Sequence, residues 1–188
     1  EVTIGPRGDN VVAAWGQVAF KAIGSTNQDL VTVHLAMYDA VMAIARTHQP
    51  YAIRPATSGA GAGEVGMKAA AVEAAYRTLR ALVPAGGATY EPPYAADLAA
   101  LPDGDAKRRG LAIGAEVAAG LLALRANDGR ATVLPPYVAG TQPGQFRGAN
   151  PINRIGPFIK PFATRSHDQF RAPGPPPLAS EAYAADLN

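Results

Sequence analysis

Binding or transforming an oxyanion takes cations fixed on loops, because a guanidinium fork or an ammonium meets anionic oxygens through charge-assisted hydrogen bonds. Such cations are concentrated late in this 188-residue chain. Arg130, Arg147, Arg154, Lys160, Arg165 and Arg171 lie between positions 130 and 171, against the single acid Asp168. The plainer alternative is a solvated loop surface, or arginines paired with acids and helix C-termini elsewhere. The three histidines, His34, His48 and His167, are far apart and lack metal-ligand spacing. His167, flanked by Ser166 and Asp168, is the best placed for acid–base work. His34 falls in an apolar helical stretch and reads as a hydrogen-bonded core histidine. Asp39, in the same stretch, has no second carboxylate three or four residues on, so an ion pair or hydrogen bond is expected of it, not a metal. His34 and Asp39 together are assigned to a structural polar core.

Gly61, Gly63 and Gly66 spell G-x-G-x-x-G. A dinucleotide fingerprint needs a preceding strand within a βαβ unit, and here a proline-broken loop precedes it, so a flexible lead into a helix is expected. The chain holds no Gly-x-Ser-x-Gly elbow, Walker motif or zinc signature. From the residues alone no catalytic set is assigned in this chain, and no metal site.

The elements that must position these residues are helical. Leu30 to Arg46 carries apolar residues at Leu30, Val33, Met37, Val41 and Ile44, with a second row at Val31, Leu35, Met42 and Ala45. Ser25 and Gln28 offer a capping-box start near Thr26. This stretch is expected to be the central helix of a bundle, with Asp39 held by a partner across an alanine-lined contact. Before it, Asn10 caps a helix that Gly24 ends near Ile23, with Val11, Trp15, Val18 and Ala22 on one face. After it, Glu64 to Val83 repeats Val65, Ala69, Val72, Tyr76, Leu79 and Val83 in steps of four and three, a bundle stripe. A short helix follows over 89–101, with Pro92 and Pro93 expected in its first turn. A long one, capped by Asp103 or Asp105, runs to about Asn127, and its Gly110, Gly114 and Gly120 imply a tight helix crossing.

The character changes at Arg130. Ten of the seventeen prolines lie in 130–188, with no helical period until Ser180 caps a last short helix. Tyr137, Phe146, Phe158, Phe162, Phe170, Leu178 and Tyr183 make the segment apolar enough to pack. The expected fold is therefore all-α: a bundle of about five helices over 1–129, followed by a proline-rich, basic, ordered wrap over 130–188 packed on the bundle. There are no cysteines, hence no disulfide framework or thiolate metal site. No run approaches the roughly 20 apolar residues of a membrane span, so no membrane partner is expected. A net charge of +2 by itself argues neither way on nucleic acid, and no nucleic-acid partner is expected. The chain starts at Glu1 without methionine, which points to a processed N-terminus and to a periplasmic or secreted protein.

Four stretches carry a family resemblance. LAMYDAVMAI at 35–44 resembles the A-M-Y-D-A-x-x-A-I helix of bacterial vanadium-dependent haloperoxidases, of the type 2 phosphatidic acid phosphatase superfamily. EVGMKAAAVEAAYRTLRALVP at 64–84 resembles that family's alanine-rich helix. GLAIGAEVAAGLLALRANDGR at 110–130 resembles its glycine-spaced helix ending in Asp-Gly. KPFATRSHDQFRAPGPPPLASEAYAADLN at 160–188 resembles its Pro-Phe to Gln-Phe-Arg segment and the prolines after it.

The resemblance covers the N-terminal half of such an enzyme. The family's oxyanion site lies in a later stretch, in Lys-x(6)-Arg-Pro, Pro-Ser-Gly-His and Ser-Arg-x(5)-His, which this sequence does not contain. The resemblance thus implies a vanadate cofactor bound by an absent C-terminal half, and no catalytic role passes to Lys160, Arg165 or His167. What it implies for the present residues is support: a bundle packed on the catalytic half, and a loop with Phe158, Lys160, Phe162, Arg165, His167 and Phe170 at the rim of substrate access. The chain alone is expected to be inactive. It is expected to need a partner surface, the catalytic half or another copy of itself. The alternatives are the same scaffold in an acid phosphatase-type phosphoester hydrolase, a non-catalytic helical protein for binding or assembly, or a small anion-binding module using the basic loop.

Overall fold

The computed structural model describes residues 10–24, 27–149 and 151–187. They contain six α-helices: α1 Val11–Ile23, α2 Asn27–Ala45, α3 Gly63–Leu82, α4 Gly87–Ala100, α5 Asp105–Arg125 and α6 Glu181–Leu187, and no strand among the described residues. The fold is all-α, as expected. The chain divides into two compact units, residues 1–125 and 126–188, compared with the 129/130 boundary read from the sequence.

The first unit holds α1 to α5. Asn10 caps α1 through its side-chain oxygen, which accepts from the amides of Val12 and Ala13 at 3.1 Å each, and Gly24 at φ 73° closes it. The proposed Ser25–Gln28 capping box rests on Ser25, which lies outside the described residues. The helix α2 is not the hub. That place belongs to α3, which packs against α1, α2, α4 and α5. The reason is composition: Ala69, Ala70, Ala71, Ala74 and Ala75 are all fully buried, and such small side chains let neighbours close in on several sides. On α2 a strip of Val31, His34 and Tyr38 stays exposed. His34 is therefore not a core histidine; its ring lies in the open beside Gly16.

Two apolar clusters fill the unit. Trp15, Val33, Met37, Val72, Leu79 and Tyr90 join α1, α2, α3 and α4. The Trp15 indole donates to Asp97 Oδ2 at 2.8 Å, which ties α1 to α4. Ala36, Ala40, Ala70, Ala74, Ile113, Val117 and Leu121 join α2, α3 and α5. Each fully buried large apolar side chain stabilises by about 1.5–3 kcal/mol relative to exposure. The expected tight crossing is that of α5 on α3: a Cβ on Gly110 would meet Ala69 Cβ at 2.9 Å, and one on Gly114 would meet Ala70 O at 2.5 Å. Gly66 of the G-x-G-x-x-G run is likewise a packing residue, its bare Cα facing Ala106 O.

The helix α4 begins earlier than expected, at Gly87 directly after a 3-10 turn over Pro84–Gly86. Pro92 and Pro93 thus fall in its second turn, not its first. Their missing N–H groups release the carbonyls of Ala88 and Thr89, on a helix edge where Ala88 is exposed. Tyr90 anchors the same helix, fully buried, with its hydroxyl donating to Val83 O at 3.1 Å.

The second unit is mostly irregular. Gly129, at φ 91°, lies against the Phe158 carbonyl, and the Lys160 amide donates to Asp128 O at 2.7 Å. Ser180 Oγ accepts from the Tyr183 amide at 3.1 Å and caps α6 as read from the sequence. Tyr137, Phe162 and Tyr183 are half-buried, but Phe146, Phe158, Phe170 and Leu178 are exposed. The expectation that all seven apolar residues pack is corrected for those four. Proline-rich backbone without a helical period cannot line them up on one face.

Candidate functional site

The residues of the expected rim lie in the second unit. His167 Nε2 is 2.6 Å from the Ile159 carbonyl oxygen, a geometry that requires this nitrogen to carry the proton and donate. The Arg165 amide donates to Gln169 Oε1 at 2.6 Å. Lys160, Arg165, His167, Phe158 and Phe170 are exposed and Phe162 is half-buried. Asp168 is held below the usual carboxylate range, chiefly by the Ser166 hydroxyl. Arg154 is spent locally: it donates to Pro135 O at 2.8 Å and lies over the Tyr137 ring at 5.5 Å. Arg147 reaches the Thr141 carbonyl at 3.5 Å.

The first unit holds better-built polar geometry, most of it not marked by sequence reasoning. Asp39 is fully buried on α2. Its carboxylate accepts three successive amides of the following loop: Tyr51 at 2.5 Å on Oδ1, then Ala52 at 3.0 Å and Ile53 at 2.8 Å on Oδ2. The expected hydrogen-bonded role is met by backbone, not by a side chain. Glu116 of α5 does the same further along the loop. Its Oε2 accepts the amides of Ala56 and Thr57 at 2.7 and 3.2 Å, and its Oε1 accepts the Thr57 hydroxyl. These bonds hold the Glu116 carboxyl below its usual range, the Thr57 hydroxyl contributing most. Tyr38 donates to Gln49 O at 2.9 Å, and Arg109 of α5 donates to Ala60 O at 2.6 Å. A loop of ordinary polarity is thus fixed at four points by side chains from α2 and α5.

Between that loop and the C-terminal end of α2 lies a cavity of about 470 Å³. Arg46, His48 and Arg54 line it, with Met42, Ile53 and Pro55 supplying apolar wall. The sequence signal for it was slight: a proline-rich loop with a basic residue at each end.

A second cluster sits where α3, α4 and α5 meet, beside a groove of about 630 Å³. Glu73 is buried and bonded to Arg77 and to the Tyr94 hydroxyl, the latter at 2.5 Å. Tyr94 stacks on Tyr76 with centroids 3.8 Å apart. Burial pushes the Tyr94 phenol well up, and the bond to Glu73 adds to this. A lone acid inside a run of alanines was the available sign of this cluster. Among the described residues no group of three His, Asp or Glu side chains is placed to hold a metal ion. Also among them, no helix is long and apolar enough to cross a membrane. Compared with protein-family models, with curated proteins and with solved structures, the chain matches none.

Proposed function

We propose that this chain is the N-terminal helical scaffold of a vanadium-dependent haloperoxidase-like enzyme, whose peroxide-driven halide oxidation belongs to a separate catalytic half. The observation that supports this is where the resembling residues fall. In A-M-Y-D-A, Ala36, Met37, Asp39 and Ala40 are fully buried, and only Tyr38 reaches the surface. In the alanine-rich stretch, Ala70, Ala71, Val72, Ala74, Ala75 and Leu79 are buried; in the glycine-spaced stretch, Gly110, Gly114 and Ala118 are. The shared pattern is thus a packing pattern, which is what a scaffold preserves.

Vanadate is assigned to the catalytic half because the late-segment residues here do not fit it. His167 Nε2–H donates to Ile159 O, and Arg154 is bonded to Pro135 O and lies over the Tyr137 ring. On this reading the loop from Phe158 to Phe170 borders the approach to that half, and the whole enzyme is exported.

The test is to isolate the protein from its source cells and measure intact masses and turnover. The expected product carries polypeptide beyond the 19.4 kDa of this chain, as a continuation or a companion, including a Pro-Ser-Gly-His motif. It oxidises bromide with peroxide once vanadate is added. Phosphoester hydrolysis without halide oxidation would move the assignment to the phosphatase-type alternative. Turnover of either substrate by this chain alone would overturn the scaffold reading.

A further inference from the structure

The cavity beside the pinned loop has features that packing does not explain. Arg46 follows α2 with φ 53°, a left-handed backbone where glycine is the ordinary residue after a helix. An arginine there carries conformational strain that glycine would not. Among the described residues its guanidinium has no hydrogen-bond or ion-pair partner. A helix C-terminus favours a nearby cation, which would account for Arg46 alone. It does not account for His48 and Arg54 lining the same space. Arg54 gives one Nη2 bond to Gln49 Oε1 at 2.9 Å, which orients the fork and leaves its other donors available.

Among the described residues no carboxylate lines the cavity. Asp39 and Glu116, whose partners lie in the same loop, are each already met by three donors from it. The wall is rigid as well. Gly59 is buried so closely on α2 that a Cβ there would meet Ala43 O at 2.7 Å. Met42, Ile53 and Pro55 give an apolar floor, and 470 Å³ lies in the ordinary range for small-molecule sites.

We propose that this cavity binds a small organic oxyanion, a carboxylate or phosphate monoester carrying an apolar body, between Arg46, His48 and Arg54. The two guanidinium groups meet the anionic oxygens, and the apolar body lies on Met42, Ile53 and Pro55. The proposal stands apart from the scaffold reading, since it requires only this chain.

The experiment titrates the chain with phenyl phosphate, benzoate and inorganic phosphate, read by calorimetry and by backbone amide shifts. One saturable site is expected, for phenyl phosphate, benzoate or both, with shifts centred on residues 46–58. Whichever organic anion binds should do so more tightly than inorganic phosphate, because of the apolar floor. Arg46→Gly and Arg54→Ala should each weaken binding by about tenfold or more. Arg46→Gly should not lower Tm, because glycine accepts the left-handed backbone, so lost binding is not lost folding. Arg171→Ala, in the other unit, should leave affinity unchanged. The proposal is overturned by no saturable binding up to about 10 mM, by wild-type affinity in either cavity variant, or by an equal loss in Arg171→Ala.

Discussion

Replacing Asp39 with alanine removes the acceptor for three consecutive backbone amides at once. The bonds measure 2.5, 3.0 and 2.8 Å, to Tyr51, Ala52 and Ile53. A hydrogen bond to a charged group contributes roughly 1.5–3 kcal/mol net when the freed donor stays buried. Here Tyr51 and Ala52 are exposed residues, so water can reach part of the freed backbone and the lower end applies. About 1.5 kcal/mol for each bond gives a loss of about 4.5 kcal/mol, out of the 5–15 kcal/mol typical of a domain. Asp39→Asn keeps one accepting oxygen and should lose about half as much. Urea unfolding followed by circular dichroism measures this, with the midpoint falling and the slope unchanged. Amide hydrogen exchange adds the local signature: Tyr51, Ala52 and Ile53 lose protection while the α3 amides keep theirs relative to global stability. A loss below about 1 kcal/mol, or unchanged exchange at those three amides, would refute the claim that Asp39 organises this loop.

Gly114→Ala should destabilise by about 1–3 kcal/mol despite its better helix propensity, because the new Cβ meets Ala70 O at 2.5 Å and Glu73 Cβ at 2.8 Å. Gly120→Ala, facing only the Ile53 side chain, should be near neutral in the same urea assay. Thr78→Val should stabilise by about 1 kcal/mol, since the Thr78 hydroxyl is buried with no hydrogen-bond partner among the described residues; a loss of that size would show an unseen bond. The Tyr94 phenol is raised above its ordinary value of 10, so its contribution is complete below pH 10 and is lost as pH rises from there through the folded value. Unfolding midpoints should therefore fall above about pH 10, less steeply in Tyr94→Phe, where Tyr90, raised by burial, still contributes. Glu116 is lowered from 4.5, so its contribution is present above that pH and lost as pH falls below it through the folded value. Glu116→Gln should flatten the acid limb of midpoint against pH between about 5 and 3, and an unchanged limb would remove Glu116 from the loop's support.

What was legible in the sequence was what is local. Asn10 and Gly24 bracket α1 because a cap acts within a few residues. The glycines of α5 signalled a close crossing because nothing else in a helix interior favours them. What was not legible depended on chain distant in sequence. The stretch of α2 looked buried on most sides, yet Val31, His34 and Tyr38 share a strip that is exposed among the described residues. Periodicity tells which residues share a face, not whether a neighbour arrives there. Asp39 was recognisable as buried and bonded, but its partners are amides 12 to 14 residues on, and backbone donors leave no mark in a sequence. Arg46 reads as the end of the central helix stretch and Arg54 does not stand out, because a left-handed backbone at an arginine has no signature either.

Three acids of the helical unit, Asp39, Glu73 and Glu116, share a fate that bears on its chemistry. Asp39 is met by loop amides, Glu116 by loop amides and the Thr57 hydroxyl, and Glu73 by Arg77 and Tyr94. A carboxylate already met by such donors is poorly placed to take up a proton or a cation. The acids thus act as fasteners, and their charge is satisfied inside the fold. The cations have no such uniform fate: among the described residues Arg77 is paired, Arg46 is not, and Arg54 only partly. A chain of formal charge +2 therefore shows a local positive excess at one cavity, placed there by acids that turn inward. It is this asymmetry, more than any single residue, that makes an anion the ligand to try first.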